Sequence, residues 1–106
     1  MENKNLISEA FQAFLKEAPE HAKAWGGAVQ GLSAANKLDA KTTSLAYLSM
    51  LAVLRMESGI PFHVQAAKNA GASREEMISA ILLGFPLAGN VVTQVLPVAL
   101  KAFDEG

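Results

Sequence analysis

Between Asp39 and the Ser58-Gly59 pair lies a segment whose centre, LAYLSMLAVL, is apolar on nearly every side. A helix that is apolar on all faces has to be buried on all faces. A chain of 106 residues offers few other elements to surround it, so two solutions are open. Either the fold wraps this helix centrally and exposes other surface, or further chains supply the cover. Composition favours the second. Apolar residues make up 51% of the chain and charged residues 18%, which is rich for a length whose high surface-to-volume ratio demands polar cover.

A bilayer is the other sink for such surface, but a span needs roughly 18 or more consecutive apolar residues. The longest runs, 45–54 and 80–88, are of core-helix length and are interrupted by Ser49 and by Gly84 and Pro86. The opening MENKN is polar and carries no basic leader ending in small residues. The expectation is a single domain over residues 1–106, soluble and cytoplasmic, that associates with itself and not with a membrane.

Net charge is −1, and lysines and arginines are scattered without a basic stripe or aromatic platform, which argues against nucleic acid. The absence of cysteine excludes disulfides, thiolate nucleophiles and cysteine metal sites. The two histidines, His21 and His63, stand in no ligand-like spacing. No metal and no cofactor are expected.

The pattern is helical throughout, and six helices are expected. The first covers residues 6–17 and presents Leu6, Ala10, Phe11, Phe14 and Leu15 on one face. Pro19 opens the second, which reaches residue 35. Its Gly27 and Gly31 are four apart and leave a smooth face for helix packing. On the same helix, Trp25 reads as core and His21 as surface, with a shared pocket or interface as the other reading. Asp39 caps the third helix, residues 40–57. Pro61 lies in the first turn of the fourth, which stops at Gly71. Ser73 and Glu76 form a capping box for the fifth, reaching residue 87, with Gly84 and Pro86 distorting its end. Asn90 caps a sixth helix to residue 104, kinked at Pro97 with the Thr93 carbonyl freed.

Chemistry concentrates around His63. It shares a helix face with Ala66, Ala67 and Ala70, which turns the imidazole toward packed helices if that face is inward. Two readings stand: a core histidine satisfied by a carbonyl or hydroxyl, or a general acid/base titrating near neutrality. Companions come from the third helix and the break after it. Glu57 could orient His63 or raise its pKa, and Arg55 could clamp a carboxylate in bidentate fashion. Ser44 and Tyr47, one turn apart, offer hydroxyls, and Ser49 and Ser58 complete the polar set. For Arg55 and Glu57 a solvated helix end is the competing reading.

The frame Leu38-Asp39-x-Lys41-Thr42-x-Ser44-Leu45, then His63, Ala67, Gly71, Ser73, Glu75-Glu76 and Gly84-Phe85-Pro86, resembles the carboxymuconolactone decarboxylase family within the alkylhydroperoxidase D-like superfamily. The likeness covers residues 38–103. It implies an all-α fold assembled as a homo-oligomer, a trimer or hexamer, with sites around the histidine-bearing helix that draw on a neighbouring subunit. Peroxidase relatives carry C-x-x-C-x-x-x-H, and the two cysteine positions fall here on Met56 and Gly59, which excludes the dithiol route. Their glutamate twelve residues before the first cysteine falls on Ser44. The decarboxylase branch carries a glutamate four residues before the histidine, again the position of Gly59, so the resemblance transfers His63 but not its acidic partner.

Two functions follow. One is a cofactor-independent carboxy-lyase on a small carboxylated lactone or ring acid. In it His63 and Glu57 are catalytic, Arg55 holds a carboxylate, and Ser44 and Tyr47 bind the ring. The other is a non-enzymatic homo-oligomeric binding or scaffold protein that kept the fold.

Overall fold

The computed structural model describes residues 6–106. Every regular element among them is helical: seven α-helices and two 3₁₀ segments, with no strand. The chain forms two compact units, one ending at Leu38 and the other spanning Asp39–Gly106.

The first unit is a pair of helices, α1 (Glu9–Glu17) and α2 (Pro19–Ala35). The start of α1 falls later than expected because the Ser8 hydroxyl accepts the Phe11 N–H at 3.1 Å and so acts as the cap. Pro19 opens α2 as expected. Trp25 meets Phe11 and Phe14 at ring-centroid distances of 5.5 and 6.2 Å. This cluster is not a core. Neither helix buries a residue, and Trp25 is 51% exposed, against the expectation. A Cβ at Gly27 or Gly31 would meet nothing within 4 Å, so α1 does not pack on that face.

The second unit contains α3 (Ala40–Leu54), a 3₁₀ turn (Glu57–Gly59), α4 (Ile60–Asn69) and α5 (Arg74–Leu82), then the short α6 (Phe85–Ala88), a 3₁₀ stretch (Gly89–Val95) and α7 (Leu96–Glu105). Helix α3 packs on α4, α5 and the second 3₁₀ stretch, and α4 packs on α7. Leu48 and Ala52 of α3, Ile60, Val64 and Ala67 of α4, Met77 and Ile81 of α5, and Val92, Val95 and Ala99 form the core. Only that one stripe of α3 is buried, and Tyr47, Met50, Val53 and Leu54 are exposed. A single chain therefore does not surround α3.

Helix ends follow the caps. Asp39 accepts the Thr42 N–H at 2.7 Å, and the Ser73–Glu76 box closes in both directions at 3.0 and 2.9 Å. Helix α4 ends in a Schellman motif: Gly71, at φ 99°, donates to Lys68 O, and Ala72 donates to Ala67 O. Helix α3 stops at Leu54, three residues short of expectation, in the same motif. There the left-handed residue is Arg55 (φ 59°, ψ 38°), with Arg55 N–H bonding Ala52 O and Met56 N–H bonding Leu51 O.

The C-terminal third departs most from expectation. Helix α5 ends at Leu82, because Gly84 lies against α3 so closely that a Cβ there would stand 2.9 Å from Val53 Cγ2. Pro97 does not kink a helix. It sits in the first turn of α7, and the Thr93 carbonyl is not freed but accepts the Leu96 N–H. By length and composition alone the run Arg74–Glu105 could cross a membrane, which the count of consecutive apolar residues missed. Its longest uninterrupted α-helix is 10 residues, half of the roughly 20 a helical span needs.

Side chains tie the helices where the backbone cannot. Lys41 pairs with Glu76 at 2.9 Å, joining α3 to the capping box of α5. Ser49 Oγ donates to Ala80 O at 2.7 Å. On the other side, Gln65 Nε2 and Lys68 Nζ donate to the Ala102 and Phe103 carbonyls near the end of α7, each at 2.7 Å, and Arg74 forks onto Asp104 at 2.8 and 3.0 Å. Replacing Ser49 with alanine removes the cross-helix bond to Ala80, and the expected cost is about 1 kcal/mol of unfolding free energy, measured by urea denaturation.

Candidate functional site

Helix α4 exists because Pro61 pre-sets its first turn and Gly71 closes its last. Its buried stripe runs Ile60, Val64, Ala67. His63 comes one residue before Val64 and so lies on the flank of that stripe, half-buried and not facing the packed interior. Tyr47 of α3 stands edge-on to the imidazole with ring centroids 5.3 Å apart and planes at 71°. Phe62 stands edge-on from within α4 at 5.1 Å and 85°. Three rings from two helices thus meet at one corner of the second unit.

Of the five residues singled out from sequence, the structure brings Tyr47 and His63 together. Ser44 lies half-buried one turn before Tyr47 on α3. Arg55 and Glu57 stand exposed at the α3–α4 connection, and among the described residues no hydrogen bond or ion pair joins either to His63. Ser49, one of the accessory polar residues, is committed to Ala80 O. Phe62 was missed. The signal for it was present, an aromatic between a helix-opening proline and the histidine, but consecutive helical residues do not normally face each other.

The electrostatics differ from expectation. Glu57 does not raise the pKa of His63; burial lowers it below the usual 6.5 by penalising the imidazolium. At neutral pH the ring is therefore uncharged, with one nitrogen a donor and the other an acceptor. Such a group can exchange a proton with a molecule placed against it. Among the described residues, no group of three or more His, Asp or Glu side chains is arranged to hold a metal.

The sequence profile of the carboxymuconolactone decarboxylase family matches residues 19–101. The chain belongs to this family. The match starts at Pro19 and so takes in α2, which the motif-based likeness over residues 38–103 left out. No curated protein and no solved structure matches the chain. Most of the family frame has an architectural task in this member. Asp39 and Ser73 cap helices, Lys41 and Glu76 pair, Gly71 takes the left-handed turn and Gly84 admits Val53. His63, like Ser44 and Glu75, is a polar side chain of the frame to which no such task falls among the described residues.

Arg55 is the other unusual residue, the only non-glycine with positive φ among those described. A left-handed conformation costs an L-residue about 1–2 kcal/mol. Arg55→Gly is therefore expected to raise the unfolding free energy by about 1 kcal/mol, seen as a higher urea midpoint.

His63 also makes stability depend on pH. Its folded pKa lies below the unfolded value of 6.5, so between the two the unfolded chain binds the extra proton and acid favours unfolding. The contribution of neutral His63 is complete above 6.5 and is lost as pH falls through the lowered value. The carboxylates of Asp39, Glu76 and Asp104 are held below 3.8, 4.5 and 3.8 by the Thr42 amide, by the Ser73 amide with Lys41, and by Arg74, so their share is lost only at lower pH. Thermal melts at about pH 7.5 and 5.5 are expected to show a larger drop for the wild type than for His63→Gln.

Proposed function

We propose that this family member is a cofactor-independent carboxy-lyase acting on a small carboxylated lactone or ring acid, with His63 as the proton-transfer group. The observation that carries the reading is the half-buried imidazole flanked by two partly exposed rings and uncharged at neutral pH. In the reaction the bond between the ring and its carboxylate breaks and CO₂ leaves. The electron pair passes into the conjugated ring, and one proton adds to carbon. His63 in its imidazolium form supplies that proton, and burial makes it a readier donor though a scarcer one at neutral pH. Arg55, an exposed cation at the end of α3, holds the substrate carboxylate. Ser44 and Tyr47 donate hydrogen bonds to the ring oxygens, and Glu57 serves in returning the proton to His63.

The working form in this proposal is a cytoplasmic homo-oligomer, a trimer or hexamer. Its support is the apolar surface a single chain leaves bare: the outer faces of α3 and α2, Leu83 before α6 and Leu87 within it. The lack of a carboxylate on His63 favours a second reading, a homo-oligomeric binding protein that kept the fold and lost turnover.

One experiment separates the two. Purified protein is offered carboxymuconolactone and related ring acids, with CO₂ release and thermal shift both recorded for wild type and His63→Ala. The lyase reading expects turnover that falls at least about 100-fold in the variant. It also expects kcat/KM to decline as pH rises through the lowered His63 value, because the donating form is the protonated one. Stabilisation without CO₂ release supports the binding protein, and neither effect with any ring acid sinks both.

A further inference from the structure

We propose that Phe62, together with Tyr47, is the specificity-determining wall of the His63 site, and that it selects flat, conjugated ring carboxylates over saturated ones of the same size. This inference rests on the ring-acid reading above and adds to it the residue that reads ring shape. Phe62 and Tyr47 both meet the imidazole edge-on, at 5.1 and 5.3 Å with planes at 85° and 71°. These contacts do not close either ring off: Phe62 is 49% and Tyr47 41% exposed. Phe62 is the residue next to His63 and does not belong to the buried stripe Ile60, Val64, Ala67, so the core does not explain it.

Aromatic faces prefer flat partners. An offset-stacked or edge-on ring gains over its area burial alone, whereas a puckered ring touches the same face through fewer atoms. A flat, conjugated ring is also the kind that can accept the electron pair released when CO₂ departs. Recognition by Phe62 and the chemistry at His63 therefore call for the same property of the ligand. Arg55 supplies positive charge at the end of α3, but a point charge does not distinguish flat from puckered acids. That discrimination falls to the rings.

The test uses the full chain and two probes, benzoate and cyclohexanecarboxylate, which carry the same charge and differ in ring shape. Binding of each is titrated by calorimetry and thermal shift to wild type, Phe62→Leu, Phe62→Trp and His63→Ala. The wild type is expected to prefer benzoate by about five-fold. Phe62→Leu, which keeps apolar bulk, is expected to bring the ratio near one, and Phe62→Trp to keep it. A ratio unchanged in Phe62→Leu overturns the proposal, including the case in which that variant alters only the oligomeric state. So does a wild type that binds both acids equally; if that binding is lost in His63→Ala, the ring-acid site itself survives. A wild type that binds neither acid overturns this inference, and failure of every ring acid in the turnover screen overturns the reading beneath it.

Discussion

Helix α3 carries more apolar surface than the chain can cover. Leu48 and Ala52 are the only positions at which α4, α5 and the 3₁₀ stretch close over it completely. The rest of the second unit is arranged around that stripe. Glycine at 84 lets the chain after α5 come against Val53, Ser49 reaches the Ala80 carbonyl, and Lys41 reaches Glu76. The site lies where this cover ends. Tyr47 is the residue just before Leu48, and it meets His63, which is the residue just before Val64. The two helices are buried in register along one line and leave their aromatic and imidazole groups on the next.

This placement explains the chemistry of His63 better than any partner does. A histidine deeper in the core would need a hydrogen-bond acceptor to be tolerated. A fully exposed one would keep its water and titrate normally. At the flank it loses enough water to stay uncharged at neutral pH, yet keeps an open side. Neither ring beside it offers a counter-charge, so desolvation alone sets the direction of its shift.

Two costs fall within nine residues of chain, the left-handed backbone at Arg55 and the desolvated imidazole at His63. Elsewhere the local rules hold, with a capping box at α5, a Schellman turn at Gly71 and prolines in first turns. Departures of this kind cluster where a protein keeps groups for purposes other than stability. Arginine at a glycine-favouring position and a half-buried histidine beside two rings both fit that pattern.

The sequence by itself determined the all-α class and most helix starts, because a cap needs only residues three or four apart. Asp39 with Thr42, Ser73 with Glu76, Pro19, Pro61 and Gly71 could all be read in order. It also determined what is impossible, since a chain without cysteine has no thiol chemistry wherever its helices go. Tertiary structure decided what depends on distant segments. It ended α3 at Arg55, a residue type with no glycine-like signal. It turned Pro97 from an expected kink into a helix start, and it left Trp25 exposed. It placed Tyr47 and Phe62, not Glu57, against His63. Spacing along one helix shows which residues share a face, but not which face the neighbouring helices cover. The flank on which His63 sits was fixed only when α3 packed against α4.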